Sequence, residues 1–202
     1  MNGAEGGEAM MNQAGQEEGL TNGQALRLDL YFWLQALVMA LIALILVFTF
    51  VGRVVGVDGS SMEPTLRDGD MVLLQSIGYQ PRQHDVVVLT KPFGKVNGPI
   101  VKRVIAVGGQ HVAIDYDAGT VTVDGEILEE PYLNEAMEHP PEGSLRTITE
   151  VTVPEGSIFV MGDNRNHSDD SRNELLGVVD ERYVLGRVIA VVLPLSDFGL
   201  LE

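Results

Sequence analysis

Residues 99–109, PIVKRVIAVGG, decide how most of this chain folds. The run is rich in Val and Ile and is bounded by proline and glycine, which predicts an apolar β-strand. Because side chains alternate across a strand, Lys102 and Arg103 are expected on opposite faces. In a packed strand the two cations cannot easily both face water.

The chain beyond residue 53 repeats this pattern of short, Val/Ile-rich runs separated by Gly, Pro or Asp. Residues 117–128, DAGTVTVDGEIL, are expected to form two strands with turns at Ala118-Gly119 and Asp124-Gly125. Poor alternation in several runs indicates burial on both faces. The pattern predicts a mainly β domain of coiled antiparallel sheets with barrel-like closure. The acidic segment 126–146 contains three prolines and is expected to be a peripheral insertion or cap. The predicted strands are 70–75, 85–90, 100–107, 110–116, 120–125, 147–154, 157–162 and 183–193.

Residues 30–52, LYFWLQALVMALIALILVFTFVG, contain no charged residue and no proline. About 20 helical residues span a hydrocarbon core of about 30 Å, so the run predicts a single transmembrane helix. The neighbouring Tyr31, Phe32 and Trp33 suit a membrane interface. One alternative is a buried core helix, which is rarely apolar all round at this length. The other is a cleavable signal peptide, which has a shorter core and a basic front.

The apolar run divides the chain into three predicted regions. Residues 1–28 are expected to be a disordered acidic tail, 29–52 the membrane helix and 53–202 the β-rich domain. Charge does not orient the helix, because arginines stand on both sides of it.

The composition excludes several classes of function. The chain has 202 residues and a formal net charge of −16, whereas a nucleic-acid binder normally presents a basic face. Without cysteine there are no disulfides, thiol nucleophiles or Cys-ligated metals. The four histidines are scattered without paired-ligand spacing, so neither a metal nor a cofactor is predicted.

Residues 57–72, VDGSSMEPTLRDGDMV, place two adjacent serines in a turn-like stretch soon after the apolar run. Gly59 permits a close approach of backbone to a ligand, and Pro64 stiffens the stretch. A serine nucleophile needs a base, and the G-x-S-x-G and S-x-x-K motifs are absent. A polar linker therefore remains the alternative. His167 has the best setting among the histidines, although a solvated loop residue is its ordinary interpretation.

Lysine is the other possible base, because burial lowers the pKa of a lysine and so increases its neutral fraction. Lys91 and Lys95 flank an expected loop and should be solvated, whereas Lys102 lies inside the apolar strand. A strand lysine that simply faces water is the alternative.

Residues 162–172, GDNRNHSDDSR, follow an apolar strand and are almost all polar. A surface loop and a calcium loop are the alternatives, but the calcium-binding spacing is not met and two arginines oppose a cation. The dense Asp, Arg, Ser and Asn content favours an interlocked network of hydrogen bonds and ion pairs around a site.

Together, SMEPTL with RDGDMV, KRVIAVGG and GDNRNHSDDSR resemble the motifs of bacterial type I signal peptidases, the membrane-bound Ser/Lys proteases of the S26 family. The motifs occur in that family's order after a membrane anchor. The resemblance implies that Ser61 is the nucleophile, with Ser60 as the fallback, and that Lys102 is the general base. It implies that Ser168 bonds to the lysine and orients it.

The resemblance also implies supporting and binding residues. In those terms Asp170 and Arg172 are paired charges that support the site, and Asp163 is the partner of Arg103. Some family members carry, two positions before the nucleophile, a serine whose hydroxyl helps to bind the oxyanion, whereas this chain has Gly59. As in the glycine-bearing members, the oxyanion would rest on the Ser61 N–H and the Gly59 N–H. The residues expected to line the pocket for small side chains are Met62, Leu66 and Val101.

The implied activity is endoproteolytic removal of N-terminal signal peptides from exported preproteins at A-x-A-like sites, without a metal or cofactor. The partners would be secretory preproteins, the lipid bilayer and the export translocon. Nucleic acid is not expected as a partner. The N-terminus would be cytoplasmic and the catalytic domain would lie outside the plasma membrane. Three other functions stay open: a non-catalytic single-span protein with a β-domain, a serine hydrolase that uses His167, and a self-cleaving repressor, whose known members are soluble and bind DNA.

Overall fold

The computed structural model describes residues 22–50, 53–94, 98–141, 144 and 146–201. It contains two compact units, which are divided between Leu46 and Val47. The first is helical and the second is built mainly from β-strands.

Helix α1 runs from Asn22 to Phe50. Its segment Leu26–Ile45 has 20 residues, a mean hydropathy of 2.0 and no buried share, so by length and composition it can cross a membrane. The helix starts before the predicted boundary at residue 29, because Leu26 and Leu28 are good helix formers that extend it. Residues 1–21 of the predicted tail lie outside the described residues.

The second unit contains each of the eight predicted strands, to within three residues at either end. The strand expected after the Asp124-Gly125 turn is present as the two residues Glu126–Ile127. Three short strands, at 53–56, 179–180 and 199–200, were not predicted from the sequence. Both central residues of the Asp124-Gly125 turn have positive φ, 54° and 85°, as a tight hairpin turn requires. The strands are β1 Arg53–Gly56, β2 Met71–Gln75, β3 Val86–Leu89, β4 Ile100–Val107, β5 His111–Asp115, β6 Thr120–Val123, β7 Glu126–Ile127, β8 Glu150–Thr152, β9 Ser157–Met161, β10 Val179–Asp180, β11 Val184–Leu193 and β12 Gly199–Leu200.

Among the described residues the strands form two antiparallel sheets, which confirms the mainly β class. The larger sheet has the order β1-β2-β11-β3-β4-β9-β10, with β12 also paired to β11, and the smaller has the order β7-β6-β5-β8. Register shifts in β11 and β4 mark bulges, which bend strands and increase their twist. The larger sheet curls into a half-barrel.

Strand β4 lies in the interior of the larger sheet, between β3 and β9, and six of its eight residues are buried. Val101 packs with Met62 and Leu66, while Val104 belongs to a second apolar cluster. Lys102 and Arg103 are each only 4% exposed, so both cations of the strand are buried. The alternative of a water-facing lysine is therefore wrong, and two buried cations need partners.

The segment 126–146 begins with β7 and then packs against the polar loop that follows β9. Met137 is buried in the apolar cluster between the two sheets. Asn166 of the loop donates to the Ala136 carbonyl and accepts from the Glu138 N–H. The described part of this segment is therefore tied to the loop and to the core.

Candidate active site

Ser61 lies in the loop between β1 and β2, which is fixed at its ends and by its apolar side chains. At the base of the loop the Val57 N–H donates to the Asp70 carbonyl at 2.7 Å. The Leu66 N–H donates to the Met62 carbonyl at 2.9 Å, which makes one helical turn, and both side chains are fully buried. These anchors hold the serine in a defined position at the surface of the core.

The Ser61 hydroxyl meets the one lysine that the strand pattern singled out. Lys102 Nζ donates to Ser61 Oγ at 2.7 Å, although the two residues are 41 positions apart. Burial lowers the pKa of Lys102 to about 8, against the opposing effect of the Asp170 carboxylate. A lysine with this pKa has a substantial neutral fraction near neutral pH, so it can accept the proton of a serine.

The loop after β9 is a buried network of charges rather than a solvated surface loop. Arg172 donates from Nε and Nη2 to the two oxygens of Asp170, at 2.8 and 2.9 Å, and both residues are fully buried. Burial raises the pKa of Asp170, but Arg172 and several hydrogen bonds outweigh this effect, so the pKa lies below its ordinary value. Asp170 therefore stays a carboxylate near Lys102.

Ser168 is buried in the same network, but its contact differs from the expectation. Its Oγ donates to Asp170 Oδ2 at 2.7 Å. Among the described residues, the hydrogen bond of Lys102 Nζ goes to Ser61 and not to Ser168. Because the Ser168 hydroxyl donates its hydrogen bond to Asp170, the Ser168 oxygen can only accept a bond from an approaching amine.

Arg103, on the other face of β4, is held by Asp163. Its Nε and Nη2 donate to the two carboxylate oxygens at 2.8 and 2.6 Å, and its Nη1 donates to the His84 carbonyl at 2.8 Å. Thr65, one helical turn after Ser61, donates its hydroxyl to the same carboxylate. The pair therefore joins β4, the serine loop and the polar loop.

The start of the polar loop lies directly against Ser61. The Asn164 N–H donates to the Ser61 carbonyl at 3.1 Å. A Cβ placed on Gly162 would come within 2.4 Å of the Ser61 carbonyl oxygen. Only glycine fits this contact, so the backbone of the loop sets the position of Ser61.

A narrow cleft of about 60 Å³ opens beside Ser61 and Lys102. Met62 and Val101 line it, as the resemblance implied, but Leu66 is fully buried in the apolar cluster behind it and lies outside the lining. The small volume suits small side chains. The lining residues are Val55, Gly56, Val57, Asp58, Ser61, Met62, Pro99, Ile100, Val101 and Lys102.

The two expected oxyanion donors are in different states. The Gly59 N–H donates to Asp68 Oδ1 at 2.8 Å, so it is occupied in this structure. Among the hydrogen bonds of the described residues, the Ser61 N–H makes none. The expected pair of donors is therefore reduced to the Ser61 N–H, because a carboxylate holds the other.

His167 does not act on Ser61 in this geometry. It ends a short 3-10 turn, its side chain is exposed, and the side-chain partner of Ser61 among the described residues is Lys102. Within the described ranges, no group of three or more His, Asp or Glu side chains is placed to hold a metal ion.

Comparison with known proteins gives the family. Residues 30–193 match the family described as signal peptidase, peptidase S26. The chain belongs to this family. Its relatives include signal peptidase IB of Staphylococcus aureus, 33% identical over 184 residues that cover 84% of this chain and 93% of that protein. Signal peptidase I of Bacillus licheniformis is 33% identical and covers 84% of this chain and 91% of that protein.

Among solved structures, that of a signal peptidase I from Enterococcus faecalis is 31% identical, with a TM-score of 0.41, and covers 54% of this chain and 97% of that chain. As a member of the signal peptidase family, the chain is a serine endopeptidase that removes signal peptides, as the sequence predicted. Its apolar N-terminal helix suits a membrane anchor.

Sequence reasoning missed several residues of the site. Thr65 lies four residues after Ser61. In a helical turn this spacing would have placed the two side chains on one side, so Thr65 could have been predicted near the site. Gly162 and Arg165 stood inside the quoted loop motif, but their contacts depend on how the loop folds back. No pattern pointed to Glu130, because its partner is 35 residues away in the sequence.

Proposed function

We propose that this signal peptidase cleaves with a dyad in which Ser61 is the nucleophile and Lys102 is the general base. The observation that carries the proposal is the 2.7 Å contact between Lys102 Nζ and Ser61 Oγ at a buried lysine. The protonated lysine donates to the hydroxyl, and the neutral lysine accepts the hydroxyl proton along the same line. Ser60, the fallback, is exposed and lies beside this contact rather than in it.

The reaction proceeds through an acyl-enzyme. Neutral Lys102 takes the proton as Ser61 Oγ attacks the scissile carbonyl carbon, and the Ser61 N–H stabilises the oxyanion. Protonated Lys102 then gives its proton to the leaving amine. Water, deprotonated by Lys102, hydrolyses the ester and restores the free serine. No step requires a cofactor.

Five buried residues support the dyad without taking part in making or breaking bonds: Asp163, Arg103, Asp170, Arg172 and Ser168. Gly59 becomes a second oxyanion donor only when Asp68 releases its N–H. The carboxylate of Asp170 also raises the pKa of Lys102. The two ion pairs therefore hold the geometry of the site, and the Asp170 carboxylate offsets part of the lowering of the Lys102 pKa that burial causes.

The substrate segment lies extended beside the dyad. Strand β1 is the edge of the larger sheet and contributes to the cleft, so it can pair with an extended peptide. A cleft of about 60 Å³ admits small side chains, which fits an A-x-A-like site in a secretory preprotein. Met62 and Val101 provide its apolar wall.

We further propose that residues 29–52 anchor the enzyme in the plasma membrane, with residues 1–28 in the cytoplasm and the catalytic domain, 53–202, outside. The preproteins arrive through the export translocon, so an enzyme anchored near it meets its substrate at high effective concentration.

The test compares full-length variants in detergent on a preprotein with an A-x-A site. Ser61→Ala and Lys102→Ala should lose cleavage, while His167→Ala should keep it. Ser60→Ala and Lys91→Ala are matched controls, because Ser60 is the neighbouring serine and Lys91 is a lysine whose pKa burial also lowers.

Full activity of Lys102→Ala would contradict the proposed dyad, and loss of cleavage in His167→Ala alone would favour a histidine base. Absence of cleavage by the wild type would support a non-catalytic protein. Protease accessibility of residues 53–202 in intact cells tests the orientation.

A further inference from the structure

A segment outside the resemblance motifs packs against the polar loop 162–172, which contacts Ser61. We call residues 128–138 the arm; they follow β7. Arg165 in the loop has no exposed side-chain surface, and its Nη1 donates to Glu130 Oε2 at 3.0 Å while its Nη2 donates to Glu130 Oε1. Only 8% of the Glu130 side chain is exposed. A buried guanidinium needs such a carboxylate, and the two-pronged contact fixes its orientation.

The same arginine reaches the backbone beside the nucleophile. Arg165 Nε donates to the Gly162 carbonyl at 3.0 Å, and the Gly162 N–H donates to Asp170 Oδ2 at 3.0 Å. Gly162 is thus held from both sides, directly against the Ser61 carbonyl. Any movement of Arg165 is passed through Gly162 to Ser61.

The arm also contacts the strand that carries the lysine. The Tyr132 hydroxyl donates to Glu130 Oε1 at 3.0 Å, and the Tyr132 ring covers the Arg103 guanidinium with 3.9 Å between the guanidinium carbon and the ring centroid. Arg103 directly follows Lys102 in β4. The arm therefore connects the loop at the serine with the strand at the lysine, and Glu130 accepts hydrogen bonds from both Arg165 and Tyr132.

We propose that Glu130 is a positioning residue for signal peptide cleavage. By holding Arg165 it keeps Gly162 against Ser61, and so keeps Ser61 Oγ within hydrogen-bond reach of Lys102 Nζ. The inference rests on the proposed dyad. Glu130 is not among the residues that line the cleft, so its loss should lower kcat and leave KM unchanged.

The test uses full-length Glu130→Gln, which keeps the size of the side chain and removes its charge. Glu129→Gln is the matched control, because Glu129 is the adjacent carboxylate and is exposed. On a peptide with an A-x-A site, Glu130→Gln should lose about tenfold or more in kcat, with KM within about twofold of wild type. Glu130→Asp, which keeps the charge on a shorter side chain, should recover part of the kcat. All assays are run below the melting temperature of each variant.

A folded Glu130→Gln variant with wild-type kcat would overturn the inference, as would a loss confined to KM. If Glu130→Gln does not fold, Glu130→Asp decides: a lower kcat at unchanged KM supports the positioning role, and wild-type kcat overturns it. Failure of the wild type to cleave would count against the proposed function instead.

Discussion

Replacement of Gly162 by alanine tests directly whether the backbone of the polar loop fixes the position of Ser61 relative to Lys102. The added Cβ would lie 2.3 Å from Ser168 Oγ, 2.4 Å from the Ser61 carbonyl oxygen and 2.5 Å from Ser168 Cβ. Ordinary contacts to a Cβ start at 3.4 Å, so these atoms must separate by about 1 Å. Gly162 does not have a left-handed φ, so the effect of the methyl group is purely steric.

A displacement of about 1 Å at a reacting group costs about 100-fold in rate. We expect kcat of Gly162→Ala to fall by that factor, because either Ser61 moves away from Lys102 or Ser168 and its carboxylate partner move. Overpacking of this kind also costs about 1–3 kcal/mol of folding stability. The melting temperature should therefore fall by several degrees while the protein remains folded at the assay temperature.

The assay measures kcat and KM on a peptide with an A-x-A site, together with thermal unfolding. The control is Gly199→Ala, whose Cβ would meet its nearest atom at 3.9 Å, and it should match wild type. A Gly162→Ala enzyme with kcat within about threefold of wild type would refute the reasoning, because the nucleophile would then tolerate movement of the loop.

Further predictions concern pH, charge and the cleft. The rate should rise with pH and level off above about 8, where Lys102 is neutral; a flat profile from about pH 6 to 9 contradicts this base. The folded pKa of Lys102 lies below its unfolded value of 10.5, so burial of the cation carries a cost in folding free energy. This cost is present in full below pH about 8 and disappears as the pH rises from about 8 to 10.5. Lys102→Met should therefore raise the melting temperature more at pH about 7 than at pH about 10, by relief of a cost of up to about 3 kcal/mol. Asp163→Asn leaves Arg103 buried without a carboxylate and should cost about 3 kcal/mol in denaturant unfolding, whereas Asp180→Asn, at an exposed pair, should leave stability unchanged. Val101→Phe narrows the cleft and should raise KM for an A-x-A peptide about tenfold, with the acidic limb of the pH profile unmoved; an unchanged KM would place the substrate elsewhere.

Local sequence patterns were enough to predict most of the strands. The residues of a run such as 100–107 lie in one buried, apolar environment, and the Val/Ile-rich composition of the run indicates it. They failed for β1, β10 and β12, because four residues in β1 and two each in β10 and β12 are too few to carry a periodic signal. These short strands exist because a neighbouring strand offers free backbone groups, which is a property of the assembled sheet.

The site was predictable to the extent that its residues stand in motifs. The resemblance named Ser61 and Lys102, and the structure brings them to 2.7 Å. It also implied a bond from Ser168 to the lysine and a free N–H at Gly59, and in both cases a nearby carboxylate takes the donor instead. Which of several acceptors receives a given donor depends on distances that a motif does not contain.

The sequence by itself determined the apolar helix, the β class and the family motifs, because each depends on residues close together in the chain. It also limited the possible bases to a few side chains. Only the tertiary structure decided three features: the contact of Lys102 with Ser61 rather than Ser60, the burial of Lys102 that lowers its pKa, and the link from Glu130 to Gly162. Burial and hydrogen bonding between distant residues arise only when the strands and loops pack together.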